Sequence, residues 1–356
     1  MAPLRLRDRD AIITKEGLIF RVLGYSHPRE FFICDAEYAS SKIFKSDDPR
    51  APRSLGEELF YKFYEDEGWK FIRDRYPKYM ILHDMLKKKV IGVSFSDVFT
   101  TRKPDEILQE LLDRKVDDDL VSAMRSVVDV VSESSNLSLE DFGVFGSLLH
   151  GFHHPKLSDI DLVVYGGRNL DGLRKTLHEL YESDSVVFRN EFGADQTVKS
   201  KNWKFRHLSF KEYVWHQQRK LTYALFQDQK SGRTTKTEFE PVKNWNEICN
   251  EYDSRTRITP IGWIHILAKV QDDHESPFIP SVYRIEPQEI CEGPREAMET
   301  KRIVSYMEEF RMQAKEGEIV DVRGNLEKVS APDGDFLQIV LTCCPRYYEQ
   351  VLKVKN

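Results

Sequence analysis

The residues with the clearest chemical potential lie between positions 142 and 166, FGVFGSLLHGFHHPKLSDIDLVVYG. Phe142 to Phe145 reads as a buried strand, Gly146-Ser147 breaks it, and Leu148-Leu149 opens a short helix. Glycine lets the backbone approach a ligand closely, and a strand ending in Gly-Ser at a helix start leaves N–H groups and a hydroxyl for a phosphate. Ser158 to Tyr165 follows as a second strand. Its period of two sends Asp159 and Asp161 to one face and Ile160 and Leu162 to the other. Carboxylates about 7 Å apart along one strand face can converge on hard cations. Each feature alone has a plainer reading, because Gly-Ser is common and Asp-x-Asp suits the solvated face of an edge strand. Their order, their spacing and the strand context on both sides are what point to phosphate and metal chemistry.

This run resembles the polymerase-beta-like nucleotidyltransferase superfamily, whose signature is a Gly-Ser turn, a spacer, and Asp-hydrophobic-Asp on the next strand. Ser147 precedes Asp159 by twelve positions, which fits. The second glycine, Gly151, and the run Ser-Asp-Ile-Asp-Leu-Val-Val-Tyr-Gly look most like an uncharacterised archaeal branch of that superfamily. The signature is also similar to that of the archaeal CCA-adding enzymes. The resemblance covers residues 142–166 closely and the central region more loosely. It implies metal-assisted transfer of a nucleoside monophosphate from a nucleoside triphosphate, ATP among them, to a hydroxyl. Asp159 and Asp161 would hold two Mg²⁺ ions about 3.5–4 Å apart, and Gly146 and Ser147 would grip the β- and γ-phosphates.

The resemblance also implies a third carboxylate on a later strand. Thr235 to Val242 is the best such strand, and Glu238 and Glu240, two apart, face the same way. Either is a candidate, with Glu240 preferred for its apolar neighbours Phe239 and Val242; both also read as solvated residues. Asp195 is a weaker candidate, in a Gly-containing loop. Residues 199–243 hold eleven Lys or Arg against four Asp or Glu, interleaved with Trp203, Phe205, Phe210, Tyr213, Trp215, Tyr223, Phe226 and Phe239. Cations follow a phosphate backbone and aromatics stack on bases, so this stretch is the reason to expect an RNA or tRNA acceptor. Within it, Arg219 and Lys220 are the first choice for contact with triphosphate or nucleic acid. The opposing reading is an amphipathic helix around 210–227 with aromatics in a core and cations in water. The rival acceptors are a protein hydroxyl or a small molecule. The rival of another class is an inactive relative that binds RNA or nucleotide.

The elements that must position these groups fall into three regions. Residues 1–120 form an expected α+β module. Ala11 to Thr14 and Leu18 to Leu23 flank Lys15-Glu16-Gly17 as a hairpin, and Phe31 to Cys34 is a third strand. Ser54-Leu55-Gly56-Glu57 fits a capping box, opening a helix that carries Leu59, Phe60, Phe63 and Tyr64. Pro104 starts a helix with Ile107, Leu108, Leu111 and Leu112 on one face. Asp117-Asp118-Asp119 gives an acidic start to another that runs through Val131. Residues 121–245 form the core, with a packing helix at 169–183 on Leu173, Leu177 and Leu180. Residues 256–356 hold short β-type runs such as 264–270, 319–322 and 336–341, with a Pro332-Asp333-Gly334 turn, and suggest a small barrel or sandwich. The fold class expected is therefore α/β (α+β), a mixed sheet with flanking helices between an α+β module and a β-rich domain.

Composition closes off other classes. The chain has 356 residues, 40% apolar and 31% charged, with no apolar run near the ~18 residues a spanning helix needs. Its formal charge of −6 leaves any nucleic-acid affinity to a local patch. The first ten residues alternate Arg and Asp and have no apolar segment of a signal peptide. Five cysteines without a CxxC pair argue against a disulfide framework and for a reducing cytoplasm. Cys343 and Cys344 read as buried small apolars. His150, His153 and His154 could in principle ligate zinc, and Asp272 to Glu275 a metal, but a loop and an exposed turn are the better readings.

Overall fold

The computed structural model describes residues 4–115, 118–183, 187–193 and 203–355. The protein has a mixed α and β architecture, and its residues group into two compact units that cut across sequence order. The first comprises residues 1–83, 88–189 and 224–252, the second residues 84–87, 190–223 and 253–356.

The first unit begins with a largely antiparallel sheet. Strand β1 (Ala11–Ile13) pairs with β2 (Leu18–Val22) through the expected turn, where Gly17 takes φ +86°. Strand β3 (Phe31–Ser40) continues well past Cys34 and pairs with β2. The capping box at Ser54 does not form. Pro52–Leu55 (β4) and Glu58–Lys62 (β5) make a hairpin instead, with Leu55 opposite Glu58. Gly56 turns the chain at φ +59°, a conformation that ends a helix more readily than it extends one. The helix begins later, at α1 (Glu67–Arg75), where the Glu67 carboxylate accepts the Tyr64 N–H at 2.9 Å. Strands β6 (Met80–His83), β7 (Lys88–Ser94) and β8 (Thr100–Arg102) complete this layer. Its core is Ile12, Leu18, Phe20, Val22, Phe32 and Val93.

Helix α2 (Pro104–Asp113) starts at its proline and buries Leu108 and Leu111. Helix α3 (Asp119–Ser134) is capped by Asp118, whose carboxylate takes the Val121 N–H at 2.9 Å. Strand β9 (Phe142–Val144), the short helix α4 (Gly146–His150), β10 (Ile160–Tyr165), helix α5 (Gly167–Glu182) and β11 (Phe188–Asn190) follow. Helix α6 (Phe210–Lys220), which ends where Leu221 takes φ +54°, lies in the second unit. Strands β12 (Tyr223–Gln227) and β13 (Thr234–Val242) return to the central sheet, whose order is β11-β12-β13-β10-β9. Here β10 runs antiparallel to β9 and parallel to β13.

The second unit is built on β14 (Arg257–Asp272), β15 (Ser281–Glu292), β16 (Thr300–Ser305), β17 (Ile319–Ala331), β18 (Gly334–Leu341) and β19 (Val351–Val354). Pairing runs β14-β15-β16-β18-β17 and closes through β17 on β14, with β19 added to β17, so the expected barrel is present. Alternate residues fill it, among them Ile264, Ile266, Ala268 and Val270 from one strand.

Candidate active site

Strand β9 ends with the Phe145 N–H donating to the Asp161 carbonyl at 3.0 Å. The chain then turns at Gly146, φ +61°, where a Cβ would stand 2.4 Å from Asp161 Oδ2. Only glycine meets both demands, so the turn and the second aspartate are packed main chain against carboxylate. Ser147 follows, half-buried, and its carbonyl accepts the Phe152 N–H at 2.9 Å. Leu148 and Leu149 are buried and anchor the turn. Gly151 closes it in the left-handed conformation.

Asp159 is exposed, one residue before β10, and Asp161 is half-buried within it. The loop leading to them is pinned by Arg233, which donates to the Pro155 carbonyl at 2.6 Å and the Ser158 carbonyl at 2.8 Å. Burial pushes the Asp161 carboxyl up to about 7, and the charge of Asp159 pushes the same way, followed by Glu240 and Glu37; Lys62 opposes them. A carboxyl raised by desolvation and like charge is one that a bound cation would relieve.

On β13 the register sets Glu238 beside Asp161 and Glu240 beside Val163, so all three carboxylates belong to one face of the sheet. Their surroundings differ. Glu240 is buried and held by Arg9, whose Nε donates at 3.0 Å while a second guanidinium nitrogen makes a shorter contact. Arg9 is itself buried, lies 3.7 Å from an Asp8 oxygen and stands 5.6 Å over the Phe145 ring. The preferred third carboxylate therefore has a counter-charge of its own, and the residue next to Asp161 is Glu238. Among the described residues no three His, Cys, Asp or Glu side chains are grouped to hold a metal ion.

The other candidates are placed elsewhere. Arg219 and Lys220 end α6 in the second unit. Arg219 pairs with Glu318 and stacks 4.3 Å over Trp215. Lys220 is fully buried and donates to the Glu309 carbonyl at 3.0 Å, so its ammonium is not offered to a polyanion in solvent. The aromatics before them pack on one another and on the barrel: Trp203 lies 4.7 Å from Tyr213, and Phe205 joins the core. The cations Lys204, Arg206 and Lys211 remain exposed. The histidines separate as well. His150 is buried, His153 meets Asp118 at 2.8 Å, and the His154 ring accepts the Lys156 N–H at 3.1 Å. His274 pairs with Asp272 in an exposed turn. Cys343 is exposed and Cys344 half-buried, against the expectation of burial. Asp195 and Asp117 lie outside the described residues.

Residues 124–232 match the family model described as nucleotidyltransferase domain. The chain carries a polymerase-beta-like nucleotidyltransferase domain. An uncharacterized protein of Methanocaldococcus jannaschii is 25% identical over 358 residues, spanning 99% of this chain and 100% of the relative. No solved structure matches the chain.

The nucleotidyltransferase domain has neighbours that sequence reasoning missed. Glu37 on β3 and Lys62 on β5 both act electrostatically on Asp161. Although burial pushes the Glu37 carboxyl up, His150 beside it, with Arg21 and Lys62, brings it down to about 2. Arg9 lay in plain sight in the alternating Arg-Asp start of the chain. Arg7, Asp8, Arg9 and Asp10 are all buried. Nothing local marks Arg9 or Lys62, because the carboxylates they act on, Glu240 and Asp161, lie far along the chain.

Proposed function

We propose that the protein transfers a nucleoside monophosphate from a nucleoside triphosphate to a hydroxyl acceptor. The observation that carries this reading is the packing of the Gly146 main chain against Asp161, which joins a phosphate-type turn to a carboxylate pair. In the reaction the acceptor oxygen bonds to the α-phosphorus, the α–β bridging bond breaks, and pyrophosphate leaves. We assign the hydroxyl proton to Glu238, a role supported by its register beside Asp161. Gly146 and Ser147 offer the first N–H groups of a helical turn and a hydroxyl to the leaving phosphates. Asp159 and Asp161 give hard oxygen donors, and Asp161 carries a net push toward protonation. This donor set suits Mg²⁺, which fills its remaining positions with water and phosphate. Bound there, Mg²⁺ would lower the pKa of the attacking hydroxyl and neutralise charge on the leaving pyrophosphate.

We take an RNA end as the acceptor of first choice. The exposed cations Lys204 and Lys211 support it, whereas Arg206 is paired with Glu349 and the packed aromatics remove the stacking half of the argument. A protein or small-molecule hydroxyl is the rival. The compartment we infer is the cytoplasm: every cysteine is unpaired, and among the described residues no helix is long and apolar enough to cross a membrane.

A second reading, a nucleotide-binding protein without transfer activity, is favoured by one observation: Arg9 occupies Glu240. The test is incubation with Mg²⁺, each labelled nucleoside triphosphate in turn and total cellular RNA, beside the Asp159→Ala/Asp161→Ala variant. Label on RNA with wild type alone supports transfer to RNA, and label on the protein itself points to a protein hydroxyl. Nucleotide binding without label in RNA, protein or small-molecule fractions supports the second reading.

A further inference from the structure

We propose that Lys62, from the N-terminal sheet, is the cation that receives the polyphosphate of the nucleotide. The assignment rests on the nucleotidyltransferase reading and names a residue for it outside the 124–232 domain match.

Packing locates the residue. The β4–β5 hairpin lies on the Gly-Ser turn: Leu55 lies against Gly151, where a Cβ would stand 3.2 Å from the leucine's Cδ1, and the Phe60 ring is 5.0 Å from Phe152. Lys62 ends that hairpin and pairs with Tyr38 on β3. Cross-strand partners share a face, and the Tyr38 ring packs 5.2 Å from His150 and 5.1 Å from Phe152, the two residues that flank Gly151. The lysine thus projects on the side of its sheet that covers the turn. Its charge bears on Asp161, and on Glu37, whose Oε2 is 3.6 Å from His150 Nε2.

Chemistry gives it a task. Lys62 is half-buried; its ammonium stands 5.9 Å over the Tyr64 ring, and among the described residues it makes no hydrogen bond and no ion pair. Taking an ammonium partly out of water without a bonded partner is costly, and a phosphate oxygen would supply that partner. A lysine acts on phosphate as a flexible point charge, which suits polyphosphate oxygens that change charge as pyrophosphate leaves. The cations favoured by sequence, Arg219 and Lys220, are already engaged by Glu318 and the Glu309 carbonyl.

The test is equilibrium binding of ATP, the other nucleoside triphosphates and the matching monophosphates to the full chain with Mg²⁺, by calorimetry. Wild type, Lys62→Met and Lys62→Arg are compared, with thermal unfolding as the control for folding. Loss of one charge-assisted contact predicts triphosphate binding weakened by about 10- to 100-fold in Lys62→Met. Monophosphate binding should stay within about twofold, and Lys62→Arg should recover most of the triphosphate affinity. Equal weakening of tri- and monophosphates, or a lowered melting temperature with unchanged affinities, would make Lys62 a structural counter-charge and overturn the assignment. A wild-type protein that binds no nucleotide at all would instead remove the nucleotidyltransferase reading, and this assignment with it.

Discussion

The start of β10 and the end of β13 present carboxylates on the same face of one sheet, and the protein treats them in opposite ways. At Asp161 burial is combined with like charge from Asp159, Glu240 and Glu37, and the carboxyl is pushed up to about 7. At Glu240 burial is combined with a guanidinium, in an ion pair closed off from water on both sides. The first arrangement leaves a demand for positive charge that something outside the chain can meet. The second has met that demand from within. The difference teaches that type and spacing nominate a carboxylate, but availability is set by the nearest opposite charge.

The comparison can be broken in order of expected effect. Asp159→Ala/Asp161→Ala should lower nucleotidyl transfer by about 10³-fold, in the range seen for removal of groups that stabilise transition-state charge; labelled-nucleotide transfer with circular dichroism as a fold check measures it. Retained transfer would move the chemistry away from β10. Arg9→Met leaves Glu240 buried without that counter-charge and should cost about 3–5 kcal/mol in denaturant unfolding, whereas Arg9→Met with Glu240→Met should recover most of the loss. If the double variant is as unstable as the single, the pair is not what stabilises this face. Gly146→Ala forces a side chain into φ +61° and against Asp161, so it should destabilise by about 1–3 kcal/mol and impair transfer more than Ser147→Ala does.

The pH response sharpens the same contrast. Asp161 has a folded value near 7 against an ordinary 3.8. Its contribution is therefore fully present below about pH 4 and is lost as pH rises through about 7. Asp10, raised to about 8, titrates over an overlapping window, so the Asp161 share is the difference between wild type and Asp161→Asn. Without divalent cation, wild type should lose more melting temperature than Asp161→Asn between pH 4 and 8, and added Mg²⁺ should narrow the gap. Glu37, held near 2, acts at the other end and loses its contribution as pH falls below about 4.5. The smallest effect is expected at Arg219→Ala, which breaks the pair with Glu318 for about 0.2–1 kcal/mol and leaves nucleotide affinity within twofold.

Much of the local structure was legible because it is written in short-range patterns. The β1–β2 hairpin, α2 at its proline, α3 at its aspartate cap, and β10 with Asp161 in it follow from residues within a few positions of one another, although Asp159 falls one residue before that strand. Where two short-range patterns competed, the reading failed. Leu59, Phe60, Phe63 and Tyr64 suit a helix face or two half-buried strands, and Gly56 in the left-handed region decides for the hairpin. The helix around 210–227 stops at Lys220 because Leu221 turns and the chain is drawn into β12. The aromatic residues at 203–213 looked equally suited to bases and to a core, and only the presence of barrel strands to pack on separates the two.

Sequence by itself thus determined the turn, the aspartate pair and their spacing, since these depend on backbone conformations and side-chain alternation that neighbouring residues set. Tertiary structure alone decided which carboxylate stands beside Asp161, which is neutralised by Arg9, and that Lys62 comes to the same place from the other sheet. Charge interactions depend on distance in space, and nothing in the identity of position 240 reveals that position 9 will be folded against it.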